Sequence, residues 1–515
     1  MTKRVASHVP KRIAPRMTMP RRARPVLGLV TALMLSASLS DCAVGPNFKR
    51  PAPPAAADYG TASKQAETAS APGTGGNAQR LESGVDIPAQ WWTLFQSAKL
   101  DHLVEQAIKG NPDMDAARAA LRQAHELYLA QWTTFLPTVQ GGFDAQRAKN
   151  AVGTISNPTS LPQANPYYNL YTAQLTVSYM PDVFGGTRRA VEAAKAEDDS
   201  TRFQLEATYL TLTSNVVVTA ITEAGLRGQI TATRRLLELQ RQITEKVRRQ
   251  KAVGTASNLD VLAQEAAEAQ TAATLPPLEK QLGQNRDALT ALLGKLPADE
   301  PSETFELEEL TLPSELPVSL PSKLVEQRPD VRQAEENLHF ASAEAGVAIA
   351  DMLPQFAISG NLGSTSLSIG DLFKTGTGFW DIGASLTQTL FDAGALLHKH
   401  RAADAALDQA GAQYRAAVIL ACQNVADTLR ALKSDADALH ANAEAARATQ
   451  ATFELARRQL DVGTISLVQL LNAEQGYEQA ELALVQSQAN RYADTAALFQ
   501  ALGGGWWNRP QVSSL

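Results

Sequence analysis

The sequence predicts a mainly α-helical fold that carries a transmembrane β part. Three observations lead there: a duplicated module, two alternating stretches within each copy, and proline-free runs far longer than an ordinary helix. Pro112–Gly294 is written again as Pro329–Gly503. Pro112-Asp113 recurs as Pro329-Asp330, Pro137 as Pro354, and Phe184-Gly185 as Phe391-Asp392. Val253-Gly254-Thr255-x-Ser257, with Leu262 and Glu265 after it, recurs as Val462-Gly463-Thr464-x-Ser466, with Leu471 and Glu474. Each copy reads helix, strand, loop, strand, long helix, tight turn, long helix. Solenoid units are about 20–50 residues long, so this is one duplicated module and not a stacked array.

In chain order, residues 1–41 read as a signal peptide, 42–80 as a lipid anchor and flexible tether, and 81–297 as the first repeat. A linker, 298–322, leads to the second repeat, 323–503, and a C-terminal tail, 504–515. The signal rests on eight Lys/Arg ahead of a short apolar run, Val26–Leu35. That run is too short for the ~20 residues of a spanning helix. Leu39-Ser40-Asp41-Cys42 resembles a lipobox, departing from it at Asp41, where Gly, Ala or Ser is usual. Cys42 is the lipidation candidate; the competing reading is an ordinary cleaved signal with an incidental cysteine. Met17 and Met19 are alternative starts that leave a more typical signal. The Pro, Ala, Gly, Ser and Thr content from Val44 to Gln79 suggests a loose tether. Cys422, in an apolar helical stretch, reads as a small buried hydrophobe.

Within each repeat, a helix opens on proline and ends before another, Pro137 or Pro354. Then the period changes to two. Val139, Gly141, Phe143 and Ala145 alternate with polar neighbours, as do Tyr171, Ala173, Leu175 and Val177. Phe356, Ile358 and Leu362, then Trp380, Ile382 and Leu386, do the same in the second copy. Stretches of ~10 such residues suit a transmembrane barrel wall. A soluble sheet packed on helices gives the same alternation. Two hairpins are too few strands to close a barrel, so the barrel reading requires several chains.

Long helices follow. Leu236, Leu239, Ile243 and Val247 are spaced 3, 4 and 4, a coiled-coil rhythm. The glycines of the two turns break the helices, and Ser257 and Ser466 are placed to cap the next ones. Helices joined so tightly run antiparallel. Pro276-Pro277 is expected to interrupt the returning helix of the first copy, whereas Val485 in the aligned position lets the second continue.

Chemistry is excluded by the same reading. Residues 1–41 hold one acid against their eight bases, so the rest of the chain is more acidic than the net charge of −6 implies. An acidic body is a poor match for nucleic acid. No P-loop, nucleophile elbow or zinc-protease motif occurs. His398 and His400 are two apart and do not share a helix face. The expectation is a protein that is not an enzyme, with no metal and no cofactor.

Several segments are similar to those of the TolC-like outer membrane factor family, especially its lipoprotein branch, the NodT-type efflux lipoproteins. They are Cys42–Phe48 with Lys49-Arg50-Pro51, Trp91-Trp92-x-x-Phe95, the two Val-Gly-Thr turns, Leu275–Glu279 and Leu293-Gly294. The resemblance implies a homotrimer whose four strands per protomer share one outer-membrane β-barrel. Its antiparallel coiled-coil helices would form an α-barrel across the periplasm. It implies a lipid-anchored channel that passively conducts small molecules, working with a periplasmic adaptor (a membrane fusion protein). The inner-membrane pump would be of the resistance-nodulation-division or major facilitator type. Phe143, Leu175, Ile358 and Leu386 are then expected to face lipid, and Gln140, Gln174 and Thr387 the lumen. The family's gate positions fall on Asp260, Gln469 and Asn472. Val253, Gly254, Thr255, Val462, Gly463 and Thr464 are the expected adaptor contacts. The alternatives are the channel of a secretion system and a lipid-anchored periplasmic coiled-coil scaffold.

Overall fold

The computed structural model describes residues 43–60, 67–149 and 167–509. The signal peptide, Cys42, most of the first strand-to-strand loop and the last residues of the tail lie outside them. A short strand, β1 (Arg80–Ser83), precedes α1 (Ala98–Gly110) and α2 (Pro112–Trp132). Then come β2 (Thr138–Lys149), β3 (Tyr167–Tyr179), α3 (Gly186–Ala252) and α4 (Asn258–Leu292). β4 (Glu315–Val318) and α5 (Pro321–Gln327) lead into the second copy. That copy is α6 (Pro329–Ala350), β5 (Gln355–Ser366), β6 (Gly378–Thr387), α7 (Ala395–Asp461) and α8 (Leu467–Ala501). The duplication holds in the lengths: α3 and α7 both have 67 residues, and α4 and α8 both have 35.

Local chemistry sets the helix ends. Pro112 and Pro329 occupy first helical positions, where a missing N–H costs nothing. The Asn111 side chain accepts from the Asp113 amide at 2.8 Å and caps α2. One expectation is corrected here. Pro276 and Pro277 do not interrupt the returning helix; both lie inside α4. Their rings remove the donors to the carbonyls of Ala272 and Ala273. Both prolines are exposed, Ala273 is exposed and Ala272 is half-buried, so the freed carbonyls stay within reach of water.

The chain divides into two compact units, and each copy contributes to both. The first unit takes residues up to 45 together with 135–189 and 346–396. It holds an antiparallel sheet in the order β2-β3-β5-β6. In its register Phe143 lies opposite Ala173, Leu175 opposite Leu362, Ile358 opposite Ala384 and Phe356 opposite Leu386. Directly opposed residues share a face. Phe143, Leu175, Ile358 and Leu386 are therefore on one face, and Gln140, Gln174 and Thr387 on the other. Both faces are open in the single chain, and the apolar one leaves Trp380 74% and Ile382 75% exposed. On the polar face, Thr176 donates to Asn361 at 2.8 Å, and Asn361 donates to Asp381 at 3.0 Å. A soluble sheet packed on helices buries its apolar face; a barrel wall turns that face to lipid. The outer edges of β2 and β6 have no strand partner among the described residues. Edges of 12 and 10 residues are unstable in isolation. Because the four strands alternate in direction, β6 of one copy can pair antiparallel with β2 of the next.

The second unit is built on an aromatic core. Trp91, Trp92 and Phe95 are buried in a single 3-10 turn. Trp91 stacks on Phe499 with centroids 5.4 Å apart, and the Tyr492 hydroxyl donates to the Leu310 carbonyl at 2.9 Å. Such rings each bury about 150–250 Å² and fix the start of the fold. β1 and β4 pair in parallel beside them. Cys422 is half-buried against this core. The described part of the expected tether is held to the same unit. Tyr59 is buried and donates to the Ser319 carbonyl at 2.9 Å, and Phe48 stacks on His339 at 4.3 Å. Arg491, fully buried, donates to the Asn77 carbonyl at 2.6 Å and to the Thr68 hydroxyl at 3.0 Å. A composition suited to a loose chain is here fixed at a few anchoring side chains.

Candidate functional site

The two turns that join the long helices are built alike, bond for bond. Gly254 and Gly463 have φ of 82° and 74°, the left-handed conformation that ends a helix. A Cβ added to either would meet nothing within 4 Å, so the backbone angle and not crowding selects glycine. The Thr255 amide and hydroxyl both donate to the Gln250 carbonyl, at 2.9 and 3.0 Å. Thr464 does the same to Gln459 at the same distances. Val253 and Val462 stand 75% and 73% exposed at the tips. Ala256 and Ile465 are half-buried against the cluster beneath.

The next helices open on reciprocal capping boxes. The Asp260 carboxylate accepts from the Ser257 amide and hydroxyl, each at 2.8 Å, while the Asp260 amide donates back to the Ser257 hydroxyl at 3.1 Å. These bonds, from the amide first and the hydroxyl second, hold the Asp260 carboxyl below its ordinary pKa. Gln469 fills the same place: its carbonyl oxygen accepts from the Ser466 amide at 2.9 Å. Two of the three gate candidates thus spend one oxygen on their own helix. The third, Asn472, is exposed.

The first hairpin is antiparallel, as its rungs show. Arg248 meets Glu265 at 2.7 Å, Thr244 meets Glu268 at 2.9 Å, Gln240 meets Thr271 at 2.9 Å and Arg234 meets Glu279 at 2.7 Å. Partners rise in number as the first helix falls. The seam is apolar where the coiled-coil rhythm placed it: Leu236, Ile243 and Val247 are buried, although Leu239 is only half so. These residues join Val261, Phe453, Leu467, Leu470 and Tyr477 in one cluster, and Lys246 pairs with Asp461 across it. Both turns, both capping boxes and Asn472 therefore lie at one end of a paired hairpin. Cys42 lies outside the described residues. Sequence reasoning missed Gln240 and Gln264 and read Glu474 only as a repeated residue of the motif; all three are buried in this same seam. Their signal was polar residues at core-phase helical positions.

Comparison with known proteins agrees with this architecture. The profile of the outer membrane efflux protein family matches residues 103–295 and 320–504, the two copies in turn. The chain is 28% identical to the pyoverdine export outer membrane protein OpmQ of Pseudomonas putida, over 85% of this chain and 92% of that one. It is 26% identical to the outer membrane protein OprJ of Pseudomonas aeruginosa, over 94% and 97%. Among solved structures, the outer-membrane channel OprN aligns with a TM-score of 0.81 and 27% identity, covering 90% of this chain and all of that one. The outer membrane channel MtrE of Neisseria gonorrhoeae, in its open state, aligns at 0.76 and 25%, over 90% and 99%. With both copies matched, the exposed apolar sheet and the paired hairpins find their place: the chain belongs to the outer membrane efflux protein family, whose members are outer membrane channels and not enzymes.

Proposed function

We propose that three copies of this chain close a twelve-stranded barrel in the outer membrane and carry small molecules outward from a periplasmic adaptor and an inner-membrane pump. The observation that carries this reading is the sheet, with its exposed apolar face, hydrogen-bonded polar face and two open edges that alternate correctly for closure. Relatives are named for pyoverdine export and for toluene efflux, which favours small organic cargo here. Ala43, the residue after Cys42, lies against Gly185 in the same unit as the sheet, where a Cβ on Gly185 would strike it at 2.6 Å. Acylation of Cys42, which lies outside the described residues, would add a lipid anchor, and two or more acyl chains are needed for stable anchoring. Val253–Thr255 and Val462–Thr464 are the adaptor contacts in this reading, and Asp260, Gln469 and Asn472 ring the periplasmic mouth.

The test uses the purified full-length protein. Heat-modifiable trimers on gels and ion conductance in planar bilayers are expected; monomers without conductance would refute the channel. For the tips, Val253→Glu with Val462→Glu is the cleaner probe, because Ala256 and Ile465 support the cluster beneath. Trimers that form normally and lose cross-linking to the adaptor are expected. Full cross-linking places the contact elsewhere.

A further inference from the structure

Glu474 is 2% exposed; the side-chain amides of Gln264 and Gln240 bear on it, but neither of its carboxylate oxygens has a hydrogen bond of ordinary length. Gln264, fully buried beside it on α4, has both its amide oxygen and its amide nitrogen unpartnered. Gln240 on α3 donates to Thr271 at 2.9 Å, but its oxygen is also left over. Five orphaned polar atoms thus gather at one joint between the hairpins. Buried polar atoms left so are costly, most of all on a charged group.

A metal does not resolve this. Among the described residues no group of three or more His, Cys, Asp and Glu could hold one. A basic partner does not resolve it either. On its own helix Glu474 faces Glu478, a second carboxylate, whose Oε2 accepts from Thr271 at 3.2 Å. α3 brings Gln240 and α4 brings Gln264. Of the charged residues on those helices, Arg241 and Glu268 are engaged with each other at 3.5 Å, and Arg235 bears on Tyr477. α7 contributes Phe453 and Ala456 to the cluster, and its Glu454 bears on Tyr477. A proton does resolve it. A neutral acid offers one donor and one acceptor, which is the complement of a carboxamide. One proton on Glu474 lets it exchange two hydrogen bonds with Gln264, and four of the five orphans are satisfied.

We propose that Glu474, with Gln264 and Gln240, forms a proton-operated latch that closes the joint between the two hairpins beside their turns when Glu474 is neutral and releases it when the proton leaves. Burial is the leading cause that pushes the Glu474 carboxyl up to about 7, with Glu478 adding to it and the two amides opposing. The sign follows from linkage. The closed joint holds a proton that the opened, hydrated joint gives up, so closure is favoured in acid. The open-to-closed ratio rises by up to about tenfold per pH unit from the ordinary carboxylate range to about 7, then levels off. The latch rests on the hairpin joint and not on the channel reading, so the two fail separately.

Hydrogen exchange of the full-length protein at pH 5 and pH 8, corrected for the intrinsic pH dependence of amide exchange, tests it. Peptides covering 236–271 and 467–480 are expected to exchange faster at pH 8. Glu474→Gln, neutral at every pH, is expected to abolish that excess, whereas Glu265→Gln at the equivalent turn of the first hairpin keeps it. Equal pH responses in wild type and Glu474→Gln overturn the latch. Should Glu474→Gln not assemble, Gln264→Leu serves: it removes the amide that exchanges two hydrogen bonds with the neutral acid, so the protection of 236–271 and 467–480 at pH 5 is expected to fall toward that at pH 8. Wild-type protection of those peptides at pH 5 in Gln264→Leu overturns the latch equally.

Discussion

Thr244 and Glu268 in the first helical hairpin stand where Phe453 and Tyr477 stand in the second. The first pair makes a 2.9 Å hydrogen bond; the second is a ring stack with centroids 5.6 Å apart. Glu265 and Glu474 are likewise equivalent, yet Glu265 is paired with Arg248 at 2.7 Å and Glu474 is buried without a partner. α4 buries five residues and α8 thirteen, over the same 35 positions. One backbone plan therefore carries part-buried polar rungs at these positions in one copy and stacked rings in the other. The lesson is energetic. A hydrogen-bonded rung contributes about 0.5–1.5 kcal/mol, whereas buried rings contribute several, so the first hairpin is the looser of the two at this level.

The largest effect is expected where the two seams differ most. Phe453→Ala removes a ring that is 3% exposed and should cost about 3–5 kcal/mol. Thr244→Ala at the equivalent position removes a hydroxyl shared between the Gln240 carbonyl and Glu268 and should cost about 1–2 kcal/mol. Thermal unfolding of the detergent-solubilised protein reads both. Similar losses from the two would mean that the hairpins share one cooperative seam, and the contrast would collapse.

The prolines sharpen the contrast from the other side. Pro276→Val with Pro277→Gln writes the second copy's residues into the first. Each proline in a helix interior costs about 3 kcal/mol relative to alanine. Hydration of the freed carbonyls recovers part of that, so a net stabilisation of about 2–3 kcal/mol is expected. Slower hydrogen exchange across 267–285 checks it. No change would show that α4 is already as rigid as α8.

What the sequence made legible was local. The glycine and serine of each turn act through bonds spanning a few residues, and Gly254, Ser257, Gly463 and Ser466 do as their positions foretold. Strand alternation was equally plain, because a period of two needs no tertiary information, and the register then set every face. What escaped was set by distant partners. Whether Pro276 breaks a helix depends on whether water reaches Ala272 and Ala273. Whether the glutamate of the repeated motif is exposed or buried depends on Gln240 and Gln264, some 200 residues earlier in the chain. The segment before β1 looked loose because its anchors, Ser319 in the linker and Arg491 in the second copy, lie far along the chain.

The smallest expected effect separates the caps. Asp260 and Gln469 occupy the same box position, one charged and one not. The Asp260 carboxyl is held low by the Ser257 amide and hydroxyl, so its capping contribution is complete above the ordinary carboxylate range. It is lost as pH falls through the lowered value, because the protonated acid is a poorer acceptor for the Ser257 amide. Gln469 has no proton to gain. Ser257 still accepts from the Asp260 amide, so only the reciprocal half of the box weakens and the effect is a fraction of the about 0.5–2 kcal/mol of a lost N-cap. In acid the first turn of α4 should therefore fray while that of α8 stays formed. Exchange at the Asp260 and Gln469 amides, compared at pH 6 and below pH 3, measures the difference with solvent chemistry common to both. Parallel loss of protection at the two sites would mean that the tips open together, and that the charge on Asp260 is set by its neighbours in the assembly and not by its own helix.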